Sequence, residues 1–129
     1  MYKIINLNVN KDERGQLIAI ESNRNIPFDI KRVFYIFNIT HDAKRAQHAN
    51  MKAQELILCL SGCCEISLDN GKGKKINITL SKKNEAVYVE PKIWVEIFNF
   101  SKDCLLLAMS DIFYERKYQI RDYQEFIRQ

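Results

Sequence analysis

The chain has no apolar run near the ~20 residues that a membrane helix needs, so no membrane partner is expected. It also lacks a basic run. Twenty basic residues against 16 acidic ones leave a net charge of +4, scattered along the sequence, which excludes the usual footprint of a nucleic-acid binder. So mild an excess suits an anionic small ligand, and equally a solvated basic surface. Cys59, Cys63, Cys64 and Cys104 form no Cys-x-x-Cys pair and no zinc spacing; they read as free thiols of a cytoplasmic protein. Met1–Asn6 is followed by charges at Lys11, Asp12, Glu13 and Arg14, which is not the pattern of a signal peptide. No linker, repeat or low-complexity segment divides residues 1–129, which read as one domain. Histidine is scarce, with only His41 and His48, and this restricts both metal and acid–base chemistry.

What the chain does have is alternation. Residues 2–8 read as a strand rich in Ile and Asn, and residues 16–21 alternate Leu17, Ala19 and Glu21 against Ile18 and Ile20. In residues 32–39, Val33, Tyr35 and Phe37 face one way and Phe34 and Ile36 the other, which predicts a strand covered on both sides. Residues 54–61 and 64–68 read as a strand pair. Asp69-Asn70-Gly71-Lys72-Gly73 is a strong turn signal before the alternating residues 75–80. Further strands are expected at 86–89, 93–100 and 104–109, and a short helix at 122–128 with Tyr123, Phe126 and Ile127 packed inward. Short strands at regular spacing predict an all-β sandwich or barrel.

The most informative stretch runs from Arg45 to Gly62. It begins polar, with His48 and Asn50 two apart and so on one strand face, continues through Gln54 and Glu55, and ends as an apolar run closed by Gly62. The imidazole of His48 suits proton transfer near neutral pH, and a hydrogen-bonded structural histidine is the alternative. His41, beside Asp42 in a polar loop, reads as a surface residue.

These residues resemble the first motif of the cupins, with a histidine replaced by Asn50. A wider set of pieces is similar to the dTDP-4-keto-6-deoxyglucose 3,4-ketoisomerase family, small cupin sugar isomerases. The pieces are Arg14-Gly15-x-Leu17, Ile26-Pro27-Phe28-x-Ile30-Lys31-Arg32-Val33, Arg45-x-x-His48-Ala49, Cys59-Leu60-x-Gly62, Pro91-x-x-Trp94-x-Glu96, Ser110-Asp111 and Ile120-Arg121-Asp122-Tyr123. The family usually reads Arg-Gly-x-His-Ala-His-Lys and Trp-His-Glu. Here Ala46, Asn50, Met51 and Val95 depart from it.

The resemblance implies a cupin-type jelly roll with a short C-terminal helical tail. It implies conversion of dTDP-4-keto-6-deoxyglucose to a dTDP-3-keto-6-deoxyhexose through an enediol, in amino-deoxy-sugar biosynthesis for surface glycans such as lipopolysaccharide. His48 would be the base, Asn50 a hydrogen-bond donor to the enediolate, and Tyr35 a carrier of hydroxyl protons. Arg14, Arg32 and Arg45 would hold the diphosphate, with surface ion pairs as the alternative for each. Lys52, Trp94 and Glu96 complete the expected substrate contacts; Tyr35 and Trp94 suit stacking and core packing equally. No cofactor and no metal are implied, because Asn50 and Val95 stand where further ligands would be needed. Arg121, Asp122 and Tyr123 are expected to close the domain or a dimer. Family members form homodimers with exchanged N-terminal strands, which residues 2–8 suit. Arg14-Gly15 points to the galacto product. A cupin that binds a nucleotide sugar without turnover is the alternative, and a 3,5-epimerase relative is a further one.

Overall fold

The computed structural model describes residues 1–129. Two five-stranded antiparallel sheets face each other. The first has the order β1 (Tyr2–Asn6), β9 (Glu85–Val89), β6 (Glu55–Ser61), β11 (Leu105–Ser110) and β4 (Arg32–Ile36). The second has the order β12 (Gln119–Ile120), β5 (Arg45–Asn50), β10 (Trp94–Phe98), β7 (Cys64–Asp69) and β8 (Lys75–Leu80). A small hairpin, β2 (Asn10–Asp12) with β3 (Gly15–Leu17), stands apart. This is the all-β jelly-roll architecture of cupins, closed by a short C-terminal helix α1 (Tyr123–Ile127).

The main core lies between the sheets, where Ile57, Ile66, Leu68, Val87, Val95 and Phe100 are buried. Cys59, Cys64 and Cys104 sit in it as free thiols, and their sulfurs make contacts of 3.4 and 3.7 Å. The contact with Cys64, together with burial, pushes the Cys59 thiol up, and the three side chains pack as small apolar groups. A second core, including Leu7, Ile26, Phe28 and Leu56, lies on the outer side of the first sheet under the N-terminal segment.

Four expectations change at this level. Residues 54–61 and 64–68 are strands but not partners: β6 lies in the first sheet and β7 in the second. The chain crosses between sheets at Gly62, whose φ is +66° and where a Cβ would come within 2.9 Å of the Cys104 Cα. The stretch at 16–21 forms a strand only to Leu17. β4, the edge strand, is covered on one face only and leaves Val33, Tyr35 and the following Phe37 more than half exposed. In α1, capped by the Asp122 side chain on the Gln124 and Glu125 amides, Phe126 alone is buried, while Tyr123 and Ile127 stay partly exposed.

β5 carries a bulge. Its register against β10 pairs Val95 with His48 and Glu96 with Ala46, leaving Gln47 as the extra residue. Ala46 and Gln47 accommodate it at φ of +66° and +54°, a conformation costly for residues with a Cβ. The bulge re-aims His48. Ala46→Gly is therefore expected to stabilise the fold by about 0.5–1 kcal/mol. A thermal melt should show a Tm higher by roughly 2–4 °C.

Candidate active site

A cavity of about 420 Å³ opens between the sheets at the end where β5 and β6 meet the C-terminal segment. Its inner wall is apolar: Ile57 from β6, Val95 and Ile97 from β10, Leu106 and Ala108 from β11. Polar and charged groups line the rest of it. Arg32 on β4, His48 on β5 and Glu55 on β6 lie along it, and the exposed Lys44, Arg45, Tyr114 and Arg121 surround its mouth. Four cationic side chains thus converge on one opening, although the net charge of the whole chain is only +4.

Arg32 is held by two rings. Its guanidinium lies 4.3 Å from the Phe34 centroid and 4.8 Å from that of Tyr114. Glu55 is almost fully buried, and burial pushes its carboxyl up to about 7 against the pull of Arg32 and the hydrogen bond from Asn50. His48 is shifted the other way. Burial, helped by the charge of Arg121, lowers its imidazole to about 4, so it is neutral at physiological pH. Its Nδ1 is buried without a well-formed hydrogen bond, and the Ala46 backbone pulls the imidazole up against burial. The other ring nitrogen, Nε2, is the atom left to face a ligand.

A line of hydrogen bonds runs behind these groups. Arg121 Nη2 donates to Gln119 Oε1 at 2.7 Å, and Gln119 Nε2 donates to Asn50 Oδ1 at 3.1 Å. Asn50 Nδ2 donates to Glu55 Oε1 at 2.7 Å. The start of β6 is fixed from the other side, where the Gln54 backbone and side-chain amides donate to the two oxygens of Asp111, each at 2.8 Å. Ser110-Asp111 is thus a clamp between β11 and β6.

Of the residues singled out from sequence, Arg32, Arg45 and His48 lie on the cavity. Asn50 is not among the residues lining it; its Nδ2 donates to Glu55 and its Oδ1 accepts from Gln119. Five residues lie elsewhere. Tyr35 is 62% exposed on the far face of β4 from Phe34. Trp94 is buried under α1, edge-on to Tyr123 at 5.2 Å, and its Nε1 donates to Glu96 at 2.9 Å. Both project from the opposite face of β10 to Val95, because side chains alternate along a strand. Lys52 lies over the Tyr118 ring at 4.2 Å. Arg14 is exposed in the β2–β3 hairpin, paired with Asp12 at 2.6 Å. Sequence reasoning missed Lys44, Tyr114 and Gln119 and gave Arg121 a closing role. None has a local signal, since only the pairing of β12 with β5 brings Gln119 to Asn50.

The family model described as "FdtA: WxcM-like, C-terminal" matches residues 1–129. The chain belongs to this family. Among curated relatives it is 40% identical, over 124 residues, to a TDP-4-oxo-6-deoxy-alpha-D-glucose-3,4-oxoisomerase of Aneurinibacillus thermoaerophilus, covering 96% of this chain and 88% of that one. Among solved structures it superposes on WlaRA, a TDP-fucose-3,4-ketoisomerase from Campylobacter jejuni, with a TM-score of 0.93 and 36% identity over 98% of this chain and 93% of that chain. It matches QdtA, a sugar 3,4-ketoisomerase from Thermoanaerobacterium thermosaccharolyticum solved with TDP, with a TM-score of 0.95 and 32% identity over 98% and 92% of the two chains. In Trp94-Val95-Glu96 the residue facing the cavity is the middle one. Val95 is part of the cavity's apolar wall.

Proposed function

We propose that this chain is a metal-independent sugar-nucleotide 3,4-ketoisomerase acting on dTDP-4-keto-6-deoxyglucose. The observation that carries the reading is the cavity itself. A neutral imidazole stands among apolar walls, and three cations at the mouth with Arg32 deeper in line the place a diphosphate would take. The names of its relatives support the same activity, and one of the neighbouring structures holds TDP. Arg32, Lys44, Arg45 and Arg121 bind the diphosphate, and the sugar ring reaches inward to His48. The imidazole Nε2 takes the C3 proton, an enediol forms, and the proton returns at C4. The cavity offers one imidazole and one carboxyl already bonded to Asn50, surrounded by cations, which is a poor donor set for a divalent metal. Thiols free at all four cysteines fit a reducing, cytoplasmic setting.

The protein works as a homodimer with its N-terminal strands exchanged. β1 sits at a sheet edge against β9, pairing that a second copy can supply equally well, and the stripe of Val33, Tyr35 and Phe37 is apolar and uncovered. Exchange would carry the exposed hairpin with Arg14 toward the other copy, where Arg14-Gly15 favours the galacto product. Sedimentation should give twice the chain's 15.2 kDa; a monomer at micromolar concentration would sink the dimer.

Incubation with dTDP-4-keto-6-deoxyglucose in deuterated water tests the activity. NMR should show the C4 ketone replaced by a C3 ketone, with deuterium arriving at the exchanged carbon. Val95, apolar where the family has histidine, favours a second reading, a binding module without turnover. That reading predicts dTDP binding with no change in the sugar.

A further inference from the structure

The ketoisomerisation moves two protons, one between carbons and one between oxygens. His48 alone is poorly equipped for both. No carboxylate bonds to its ring; only the Ala46 backbone pulls the imidazole upward, and burial outweighs it. Asn50 cannot titrate, and Val95 carries no polar atom. One further acid lies on the same cavity. Glu55 opens β6 in the first sheet, while His48 lies on β5 in the second, so the two sheets each bring one titratable group to one space. Asn50 fixes Glu55 Oε1 at 2.7 Å, and Gln119 and Arg121 fix Asn50 in turn. The second oxygen, Oε2, receives no bond from the chain. It is not sealed either, since His48 Nδ1 is the one sealed side-chain atom without a partner.

We propose that Glu55 is the second catalytic residue, carrying a proton between the two sugar oxygens while His48 carries one between the two carbons. The proposal rests on the ketoisomerase reading above. His48 Nε2 takes the proton from C3, and the C3–H electron pair becomes the C3=C4 bond. The C4 carbonyl π pair takes the proton held on Glu55 Oε2, giving the enediol. In the second half the Glu55 carboxylate takes the proton from the C3 hydroxyl, whose O–H pair forms the new C3=O. The C3=C4 pair then takes the proton from His48 at C4. Both side chains end in their starting states, and no co-reactant is needed. Asn50 is a positioning residue that aims Glu55.

The charged groups acting on Glu55 are Arg32 on β4, which pulls its titration down, and Asp111 beyond β11, which pushes it up; His48 and Arg121 border the same cavity. Held near 7, Glu55 is about half protonated at neutral pH and can both give and take a proton.

The test is Glu55→Gln, which keeps the side chain's size and the bond from Asn50. Turnover of dTDP-4-keto-6-deoxyglucose is expected to fall by roughly 10²–10⁴ with dTDP affinity within a few-fold of the parent. The parent's rate should decline as pH rises past 7, and this limb should vanish from the residual rate of the variant. Infrared titration of the parent should show a protonated carboxyl band that disappears near pH 7. Glu55→Asp, which retains an acid, should keep the limb at a reduced rate. Glu55→Gln that binds dTDP and turns over within threefold of the parent overturns the proposal. If Glu55→Gln does not fold, a parent rate that is flat from pH 6 to 9 overturns it as well. A parent that leaves the keto-sugar unchanged overturns the ketoisomerase reading instead.

Discussion

His48→Asn should slow ketoisomerisation by at least about a hundredfold, because general-base catalysis of this kind is typically worth 10²–10⁴. The geometry makes His48 hard to replace. It is the one imidazole on the cavity, placed by a bulge in β5 that costs two left-handed residues, Ala46 and Gln47. Asparagine fills a similar space and keeps a polar group toward the sugar but cannot accept a proton. Affinity for dTDP should stay within about threefold, since the cations that would hold the diphosphate surround the mouth and His48 lies farther in. Deuterium uptake at C3, measured apart from net product, should fall by the same factor as turnover. The pH profile follows from the sign of the shift. Burial and Arg121 hold His48 at about 4, so the base is neutral and competent above that value and is lost as pH falls through it. An unperturbed histidine would instead show that limb near 6.5. A His48→Asn chain that exchanges deuterium at C3 as fast as the parent would remove His48 from the mechanism.

Most strands of this fold were legible in the sequence because one face of each is buried and period-two alternation records that. Alternation does not record partners. The apolar run from Leu56 to Leu60 and the strand from Cys64 look like a hairpin, but Gly62 turns the chain into the other sheet. Nor does it say which of two faces looks into a cavity. Tyr35 and Phe34 are both aromatic and adjacent; Phe34 lines the site and Tyr35 faces solvent. Trp94 and Glu96 have the chemistry of a binding site, yet Val95 between them is what meets the ligand space. His48 and the arginines at 32 and 45 could be read because the surrounding motif is local. Asn50 and Glu55 are five residues apart, so their pairing is within reach of a local reading. Gln119 and Arg121 lie some seventy positions downstream of Asn50, and only the short β12–β5 ladder brings them there.

Arg32→Ala tests whether binding and titration are coupled through one side chain. Arg32 lies deeper than Arg45, half-buried between the Phe34 and Tyr114 rings, so its charge is screened less than that of the exposed cations at the mouth. A hydrogen bond to a charged group is worth about 1.5–3 kcal/mol. Loss of the guanidinium should therefore raise the Kd for dTDP by roughly ten- to a hundredfold, read by calorimetry. Arg32 also pulls down the titration of both Glu55 and His48. Without it both groups should titrate at higher pH. The acid limb, where His48 becomes protonated, and the alkaline limb, where Glu55 loses its proton, should then move upward together. Arg32→Lys separates the two effects. It restores the charge and with it the parent's limbs, but it lacks the planar fork that matches two phosphate oxygens, so affinity should recover only in part. If Arg32→Ala folds and binds dTDP as tightly as the parent, the diphosphate is held by Lys44, Arg45 and Arg121 without it. If the limbs also stay in place, Arg32 is not the charge that sets the two proton-transfer groups.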